Sequence, residues 1–297
     1  MELKEKFINL LRKKNYSYAD VVQATELTKT DISRWLNHDY TGKDNRIIDV
    51  VNNFIEREEA RTFDTEIPYI ETSTIKYVHE ISRACHTSGK IGVCTGQPGL
   101  GKTYAIKKYT DKYLDSILIE SDSSYSAKAL LLDIHKRLNL SGTGTTYKLK
   151  CEVLNKLYNS GRFLIIDEAD KLKYSALEMA RRIHDKTGIG ILLIGASELY
   201  LHMTEYKQLY SRVKYYKSLN KLSIQDVMKV LEAMHIDLSL ASTYLKYSDG
   251  NMRTLSNLIS HSLFIAKINK KDKIDEMVIE KSSLLLMAYE IKWKTII

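Results

Sequence analysis

A glycine-rich stretch in the first half of the chain has the spacing G-x-x-x-x-G-K-[ST], which is typical of a phosphate-binding loop. The predicted loop consists of Gly96, Gln97, Pro98, Gly99, Leu100, Gly101, Lys102 and Thr103. Its glycines let successive backbone N–H groups point into one concavity, and the helix that opens at Tyr104 adds its positive N-terminal end. Lys102 would reach the β- and γ-phosphates of ATP, and Thr103 would hold Mg²⁺. The alternative is an ordinary glycine-rich turn between a strand and a helix.

A second stretch could complete this chemistry. The apolar run FLII is followed directly by Asp167 and Glu168, as in a buried parallel strand that carries its functional groups at the carboxyl end. Asp167 would bind Mg²⁺, and Glu168 would polarise the attacking water as catalytic base. Acidic residues at a helix start are common, so the prediction of ATP hydrolysis depends on the pairing with the phosphate loop.

The elements around these residues alternate between apolar runs and helical patterns. Runs at 91–94, 116–120, 163–167, 189–195 and 213–219 predict five strands, with helices between them. This order indicates an α/β fold with a parallel sheet covered on both faces. From Ser223 onward only helical patterns remain, so we expect a helical C-terminal lid.

The N-terminal part reads as a small all-α domain. Amphipathic patterns predict helices over 2–14, 18–25, 29–36 and 47–55, with Thr28 or Thr30 as the N-cap of the third. This layout resembles the helix-turn-helix domains of phage repressors, although Glu26 and Val22 replace the small residues usual there. The resemblance implies DNA contacts from Lys29, Thr30, Ser33 and Arg34. A helical bundle that contacts protein is the alternative.

Composition bounds the class of protein. With 297 residues, 44% hydrophobic and 28% charged, the chain suits two or three soluble domains. No apolar run approaches the length of a membrane span, and no secretory signal opens the chain. The three cysteines form no C-x-x-C pair. We therefore expect a cytoplasmic protein with no membrane partner. We predict a helix-turn-helix domain over 1–60, a linker over 61–73, an ATPase core over 74–219 and a lid over 220–297. The charged stretch from Glu56 to Thr65 has no sustained apolar stripe and also reads as a linker.

The positive charge is concentrated in the core. Residues 1–60 carry 10 Lys/Arg against 11 Asp/Glu, a net −1; residues 61–218 carry 24 against 17, a net +7; residues 219–297 carry 11 against 9, a net +2. A basic core favours a polyanionic partner beyond ATP, and we expect double-stranded DNA.

Taken together, the loop, the text LIIDEAD, the strand ending Gly195-Ala196-Ser197, the segment LYSRV and the lid segment GNMR resemble an AAA+ ATPase. The resemblance implies that Lys102 takes part in catalysis, that Arg212 is an arginine finger inserted into a neighbouring subunit's site, and that Arg253 is a second sensor that contacts ATP. The family usually has Asn, Thr or Ser as first sensor at the end of the fourth strand. Here Ala196 and Ser197 are the alternatives, and Ser197 is the assigned one.

Within the AAA+ ATPases, the chain resembles the Mu phage transposition protein B family and the related Tn7-type transposition ATPases. The shared features are the domain order and the phrases RWLNHDYTG, IETST and TGIGILLIG. The resemblance implies ATP-dependent, largely sequence-independent DNA binding as a helical homo-oligomer or filament, delivery of target DNA and stimulation of a transposase. The alternative is a sequence-specific regulator in which ATP switches the helix-turn-helix.

Overall fold

Four helices form the N-terminal domain in a computed structural model of the chain, which describes residues 2–37, 45–61, 67–269 and 273–286. They are α1 (Glu2–Lys14), α2 (Tyr18–Ala24), α3 (Lys29–Leu36) and α4 (Asn45–Arg61). Their apolar faces enclose a separate core centred on Phe7, Ile32 and Trp35. Thr28 is the N-cap of α3, where its hydroxyl and the Asp31 carboxylate form a capping box. The all-α N-terminal part is as predicted.

Helix α4 is longer than its apolar pattern predicts, so residues 56–61 are helical and the prediction of a linker from Glu56 was wrong. Glu58 is fully buried, and its carboxylate accepts hydrogen bonds from Lys14 Nζ at 3.0 Å and from the Tyr16 hydroxyl at 3.1 Å. A carboxylate that has hydrogen-bond partners can be buried in the domain even where the sequence shows no apolar stripe. Residues 62–66 of the predicted linker, and 38–42 of the phrase RWLNHDYTG, lie outside the described residues.

The core is a five-stranded parallel sheet, as predicted. Its strands are β1 (Ile91–Thr95), β2 (Ser116–Glu120), β3 (Phe163–Asp167), β4 (Gly190–Gly195) and β5 (Val213–Ser218), in the spatial order β2-β3-β4-β1-β5. Strands β1, β3 and β4 are buried along their whole length. Because β1 and β3 flank β4, the phosphate loop after β1 and the carboxylates after β3 meet at one edge of the sheet.

Seven helices belong to this core: α5 (Ser73–Ser88), α6 (Lys102–Lys112), α7 (Ala127–Arg137), α8 (Thr146–Leu157), α9 (Tyr174–Thr187), α10 (Glu198–Glu205) and α11 (Lys207–Tyr210). Helices α5 and α6 pack on one face of the sheet, and α7, α8 and α9 pack on the other. The sequence pattern missed α10 and α11, which are short and bury only Leu199, Met203 and Leu209.

The C-terminal lid consists of α12 (Ile224–Ala233), α13 (Ala241–Ser248), α14 (Met252–Ile268) and α15 (Glu276–Leu286), which share their own apolar core. Asp226 joins it to the rest of the protein. Its carboxylate caps α12 through Ser223 and also accepts the backbone N–H and the hydroxyl of Ser73, both at 2.7 Å, at the start of α5. Residues 287–297 of the predicted lid lie outside the described part. Within that part, no helix is long and apolar enough to cross a membrane.

Candidate active site

The loop between β1 and α6 turns by means of two glycines in the left-handed region, Gly99 (φ 82°) and Gly101 (φ 92°). A side chain is strained at such φ values, and at Gly99 a Cβ would also lie 2.4 Å from the amide of Asn251. Gly101 is the N-cap of α6, and Lys102 is the first helical residue. The positive end of α6 therefore faces the loop, which suits a bound phosphate.

Lys102 lies across the mouth of this loop. Its Nζ donates hydrogen bonds to the carbonyl oxygens of Gly96 (2.6 Å) and Gln97 (2.9 Å). Burial lowers the pKa of Lys102, and the nearby Asp167 carboxylate opposes that change. The loop thus holds the ammonium group within the phosphate concavity through carbonyl contacts that phosphate oxygens can replace.

Thr103 and Asp167 meet across the sheet edge. The Thr103 hydroxyl donates to Asp167 Oδ2 at 2.6 Å, and the Glu168 backbone N–H donates to Asp167 Oδ1 at 2.9 Å. Burial raises the pKa of Asp167, while these two hydrogen bonds lower it. A hydroxyl and a carboxylate are the hard oxygen ligands that suit Mg²⁺, which fills its remaining positions with water and phosphate oxygens.

Glu168 follows the strand in the left-handed region (φ 53°, ψ 35°). Such a conformation is costly for a residue with a side chain and is found where surrounding contacts enforce it. The sharp turn places Glu168 on the wall of the cavity, where its half-exposed carboxylate forms an ion pair with Lys171. From this position it can accept a proton from a water near the phosphates.

The loop, the carboxylates and the lid enclose one cavity of about 940 Å³. Its polar end is the phosphate loop with Asp167 and Glu168, and its other wall includes the apolar side chains of Ile67, Pro68 and Ile70. A flat base could pack on that wall while its phosphates reach the loop. These apolar residues had no predicted role in the site. Tyr104 also lines the cavity and stacks on Tyr69, with ring centroids 6.4 Å apart.

The lid contacts the phosphate loop through the start of α14. Asn251 Nδ2 donates to the Pro98 carbonyl at 2.8 Å, and the Arg253 backbone N–H donates to the Gly99 carbonyl at 3.0 Å. The Arg253 side chain lines the cavity, where the second-sensor prediction placed it. The contact from Asn251 was not predicted. The sequence indicated it only through an Asn at a helix N-cap position two residues before Arg253.

Residues 85–203 match the AAA domain family. The ATP-dependent target DNA activator B of Escherichia phage Mu is 26% identical over 278 residues, which cover 89% of this chain and 87% of that protein. The Mu-like prophage FluMu DNA transposition protein B of Haemophilus influenzae is 28% identical over 220 residues, which cover 69% of this chain and 76% of that protein.

Among solved structures, the ORC2 protein of Aeropyrum pernix covers 75% of this chain and 71% of its own, with a TM-score of 0.57 and 16% identity, a likeness of fold. The chain thus has an AAA domain over residues 85–203. The resemblance to the Mu transposition protein B family is confirmed by the two relatives, whereas the relation to Tn7-type transposition ATPases stays a prediction.

The end of β4, where the first sensor was expected, does not bring the Ser197 hydroxyl into the cavity. Ser197 is exposed and lies outside the cavity lining, which includes Gly195 and Ala196 instead. The Ala196 backbone N–H donates to Asp170 Oδ1 at 2.8 Å, and a Cβ on Gly195 would lie 2.2 Å from the same atom. At the end of β4, the backbone of Gly195 and Ala196 therefore lies beside the Asp170 carboxylate, which comes from the turn after β3, and the Ser197 hydroxyl lies elsewhere. Asp170, which sequence reasoning left without a role, is the polar side chain here.

Arg212 lies away from the cavity of its own AAA+ core. It immediately precedes β5, and the phosphate loop follows β1, so the two lie at opposite ends of adjacent parallel strands. Its Nε donates to Asp185 Oδ1 at 3.2 Å. Any contact between Arg212 and a nucleotide therefore requires a second subunit.

The candidate DNA contacts form an exposed face on α3. Lys29, Thr30, Ser33 and Arg34 are exposed, whereas Ile32 and Trp35 are buried. The four side chains are thus accessible and far in sequence from the nucleotide site.

Proposed function

We propose that this AAA+ protein is a Mg²⁺-dependent ATPase that binds double-stranded DNA largely irrespective of sequence, assembles on it as a helical homo-oligomer, delivers target DNA and stimulates a transposase. The observation that carries the ATPase part is the meeting of Lys102, Thr103, Asp167 and Glu168 at one sheet edge, beneath the lid. The DNA part is supported by the net charge of +7 over residues 61–218 and by the similarity to the target DNA activator B of phage Mu. A cytoplasmic location stays a prediction.

The residues divide the reaction between them. Backbone N–H groups of the loop and the Lys102 ammonium would neutralise charge on the phosphates, which is the main catalytic requirement of phosphoryl transfer. Thr103 and Asp167 would hold Mg²⁺, which would supply positive charge to offset that of the phosphates. Glu168 would orient the water and accept its proton. Arg253 would report the nucleotide state to the lid.

Assembly would follow from the position of Arg212. Since Arg212 cannot reach the cavity of its own chain, we assign it to the site of the next subunit, where it stabilises charge on the transferring phosphoryl group. Each completed site then requires two subunits, and ATP hydrolysis becomes coupled to the oligomer.

A salt titration on unrelated DNA duplexes tests the proposal. Binding to every duplex should require ATP and should weaken steeply and similarly with salt, as expected when phosphate contacts dominate. Electron microscopy of the same samples, with and without DNA, should show helical oligomers only with ATP. ATP-independent binding would contradict the model.

A sequence-specific regulator is the second candidate, and the exposed polar face of α3 favours it. In that case one duplex sequence should compete far better than the others, and Arg34→Ala should remove the preference. If α3 contributes only phosphate contacts, the same substitution should weaken binding to all duplexes alike. The slope of log affinity against log salt concentration should then fall by about one.

A further inference from the structure

A network of ion pairs leads from the middle of α9 to Arg212. Arg181 binds Glu178 through two nearly parallel hydrogen bonds, Nε to Oε2 at 2.8 Å and Nη2 to Oε1 at 2.7 Å. Arg182 Nε adds a third donor to Glu178 Oε1 at 2.9 Å. The hydrogen bonds from Arg181, followed by those from Arg182, lower the pKa of Glu178 to about 2. This end of the network is thus fixed in geometry and in charge.

Asp185 is the link between this network and Arg212. One carboxylate oxygen, Oδ2, accepts from Arg181 Nη1, and the other, Oδ1, accepts from Arg212 Nε at 3.2 Å. The exposed fraction of the side chain rises along the series, from 13% for Arg181 to 26% for Asp185 and 46% for Arg212. The inner guanidinium therefore orients the carboxylate, and the carboxylate holds the outer guanidinium at the surface.

The way in which Arg212 is held leaves part of it free. Its Nη1 donates to the Ser211 hydroxyl at 3.1 Å. Within the part of the chain that the structure describes, no acceptor is bonded to Nη2. A guanidinium that is gripped through Nε and Nη1 keeps a donor for an outside oxygen and loses little rotamer freedom when it binds one.

We propose that Asp185 is a positioning residue for Arg212, which it orients toward the phosphates bound by a neighbouring subunit. This role rests on the proposed action of Arg212 in trans. Arg181 and Glu178 support it by fixing the Asp185 carboxylate. The arrangement makes the finger rigid before two subunits meet, so that less ordering is left to the reaction itself.

The first test is steady-state kinetics of the full chain on DNA. Asp185→Asn keeps the size of the side chain but removes the charge that grips Nε, so DNA-stimulated kcat should fall roughly 10- to 100-fold, as for a misplaced catalytic group. The KM for ATP should change little, because the cavity is untouched. Asp111→Asn is the matched control, since Asp111 is an exposed helical Asp outside the network. Asp185→Glu, which retains the carboxylate, should keep most of the activity.

A mixing experiment separates positioning from a structural effect. Glu168→Gln retains its finger but cannot activate water, and Arg212→Ala retains its base but lacks the finger, so a mixture should recover activity. Adding Asp185→Asn to the Glu168→Gln subunit, which donates the finger, should remove the recovery. Adding it to the Arg212→Ala subunit, which receives the finger, should leave the recovery intact.

Each other outcome overturns the inference in a recognisable way. Equal loss of the recovered hydrolysis in both mixtures would show that Asp185 has a structural role. Unfolding of the Asp185→Asn variants would be visible by circular dichroism. Undiminished recovery with the altered donor would show that Arg212 needs no partner. Faster hydrolysis by Asp185→Asn would show that the pair restrains the finger. If the parent mixture shows no recovery although both variants assemble together on DNA, the trans action of Arg212 itself is wrong, and the role of Asp185 falls with it.

Discussion

Asn251 in the lid and Pro98 in the phosphate loop are joined by a hydrogen bond of 2.8 Å between Nδ2 and the carbonyl oxygen. The other amide atom, Oδ1, caps α14 by accepting the backbone N–H groups of Arg253 (3.0 Å) and Thr254 (3.2 Å). One side chain therefore begins the lid helix and ties it to the loop that would bind phosphate. Under the proposed function, the lid would respond to bound ATP through this residue.

Two substitutions of Asn251 separate these roles. Asn251→Ser keeps a good cap but cannot reach Pro98, whereas Asn251→Ala loses both. We expect ATP affinity to fall roughly fivefold in each, the value of one hydrogen bond, as measured by titration with a fluorescent ATP analogue. Only the Ala variant should also lose about 1 kcal/mol of stability in urea unfolding. Unchanged affinity in the Ser variant would show that the bond to Pro98 is incidental.

Lys102→Ala should remove the ammonium group from the phosphate concavity. We expect ATP affinity to fall by roughly 10²-fold, since charge-assisted hydrogen bonds to the phosphates are lost. ATP-dependent assembly on DNA should disappear with it, as measured by gel mobility shift. Lys112→Ala, an exposed lysine in the last turn of the same helix, is the control and should behave like the wild type. ATP-dependent DNA binding by Lys102→Ala would contradict the assignment of the loop.

Glu168→Gln should separate ATP binding from turnover. The amide has the size of the carboxylate but cannot accept the proton of the attacking water, so hydrolysis should fall roughly 10²-fold or more. ATP should still bind, and the DNA complexes should last longer because hydrolysis no longer ends them. Stopped-flow dissociation from labelled duplex measures this lifetime. Faster dissociation than the wild type would be inconsistent with the proposed cycle.

Arg212→Ala should leave the ATP affinity of the monomer nearly intact and remove DNA-stimulated hydrolysis. Fingers supplied in trans contribute about 10³–10⁵ in rate in other NTPases. Malachite-green assays with and without DNA measure the loss. Lys214→Ala is the control, because Lys214 is an exposed cation near the start of the same edge strand. If Lys214→Ala loses DNA-stimulated hydrolysis and Arg212→Ala does not, Lys214 and not Arg212 supplies the charge in trans. Lys217 is the next candidate.

Glu178 should make stability depend on acid pH. Its pKa is lowered from 4.5 to about 2, first by the hydrogen bonds from Arg181. A carboxyl whose pKa is depressed by folding contributes stability above its unfolded pKa, and loses that contribution as pH falls through the folded pKa. Glu178→Gln should therefore be less stable than the wild type at neutral pH, by about 1–2 kcal/mol after screening. The difference in urea unfolding should shrink as pH falls from 4.5 toward about 2; a constant difference would show that another effect dominates.

The elements whose signals are contiguous could be predicted from the amino-acid sequence. A phosphate loop is specified by glycines and a lysine within one short stretch, because backbone conformation there depends on neighbouring residues. Runs such as FLII and ILLI indicate strands buried on both faces, and they are followed by the residues that must lie at the carboxyl edge of the sheet. The parallel core, the position of Asp167 at its carboxyl edge and the helical lid could all be predicted for this reason.

Contacts between distant residues, in contrast, became visible only in the folded chain. Asn251 and Pro98 are 153 positions apart, and Asp185 and Arg212 are 27 apart, so neither pair has a local pattern. The extension of α4 past residue 55 had no sequence signal either, because Glu58 is kept inside by partners on another helix and the following turn. Ser197 was chosen for its hydroxyl, but the turn after β4 exposes it and brings Asp170 to that point instead. In each case a polar side chain finds its partner through packing, and packing is set by the apolar faces of whole elements, not by the identity of the residue beside it.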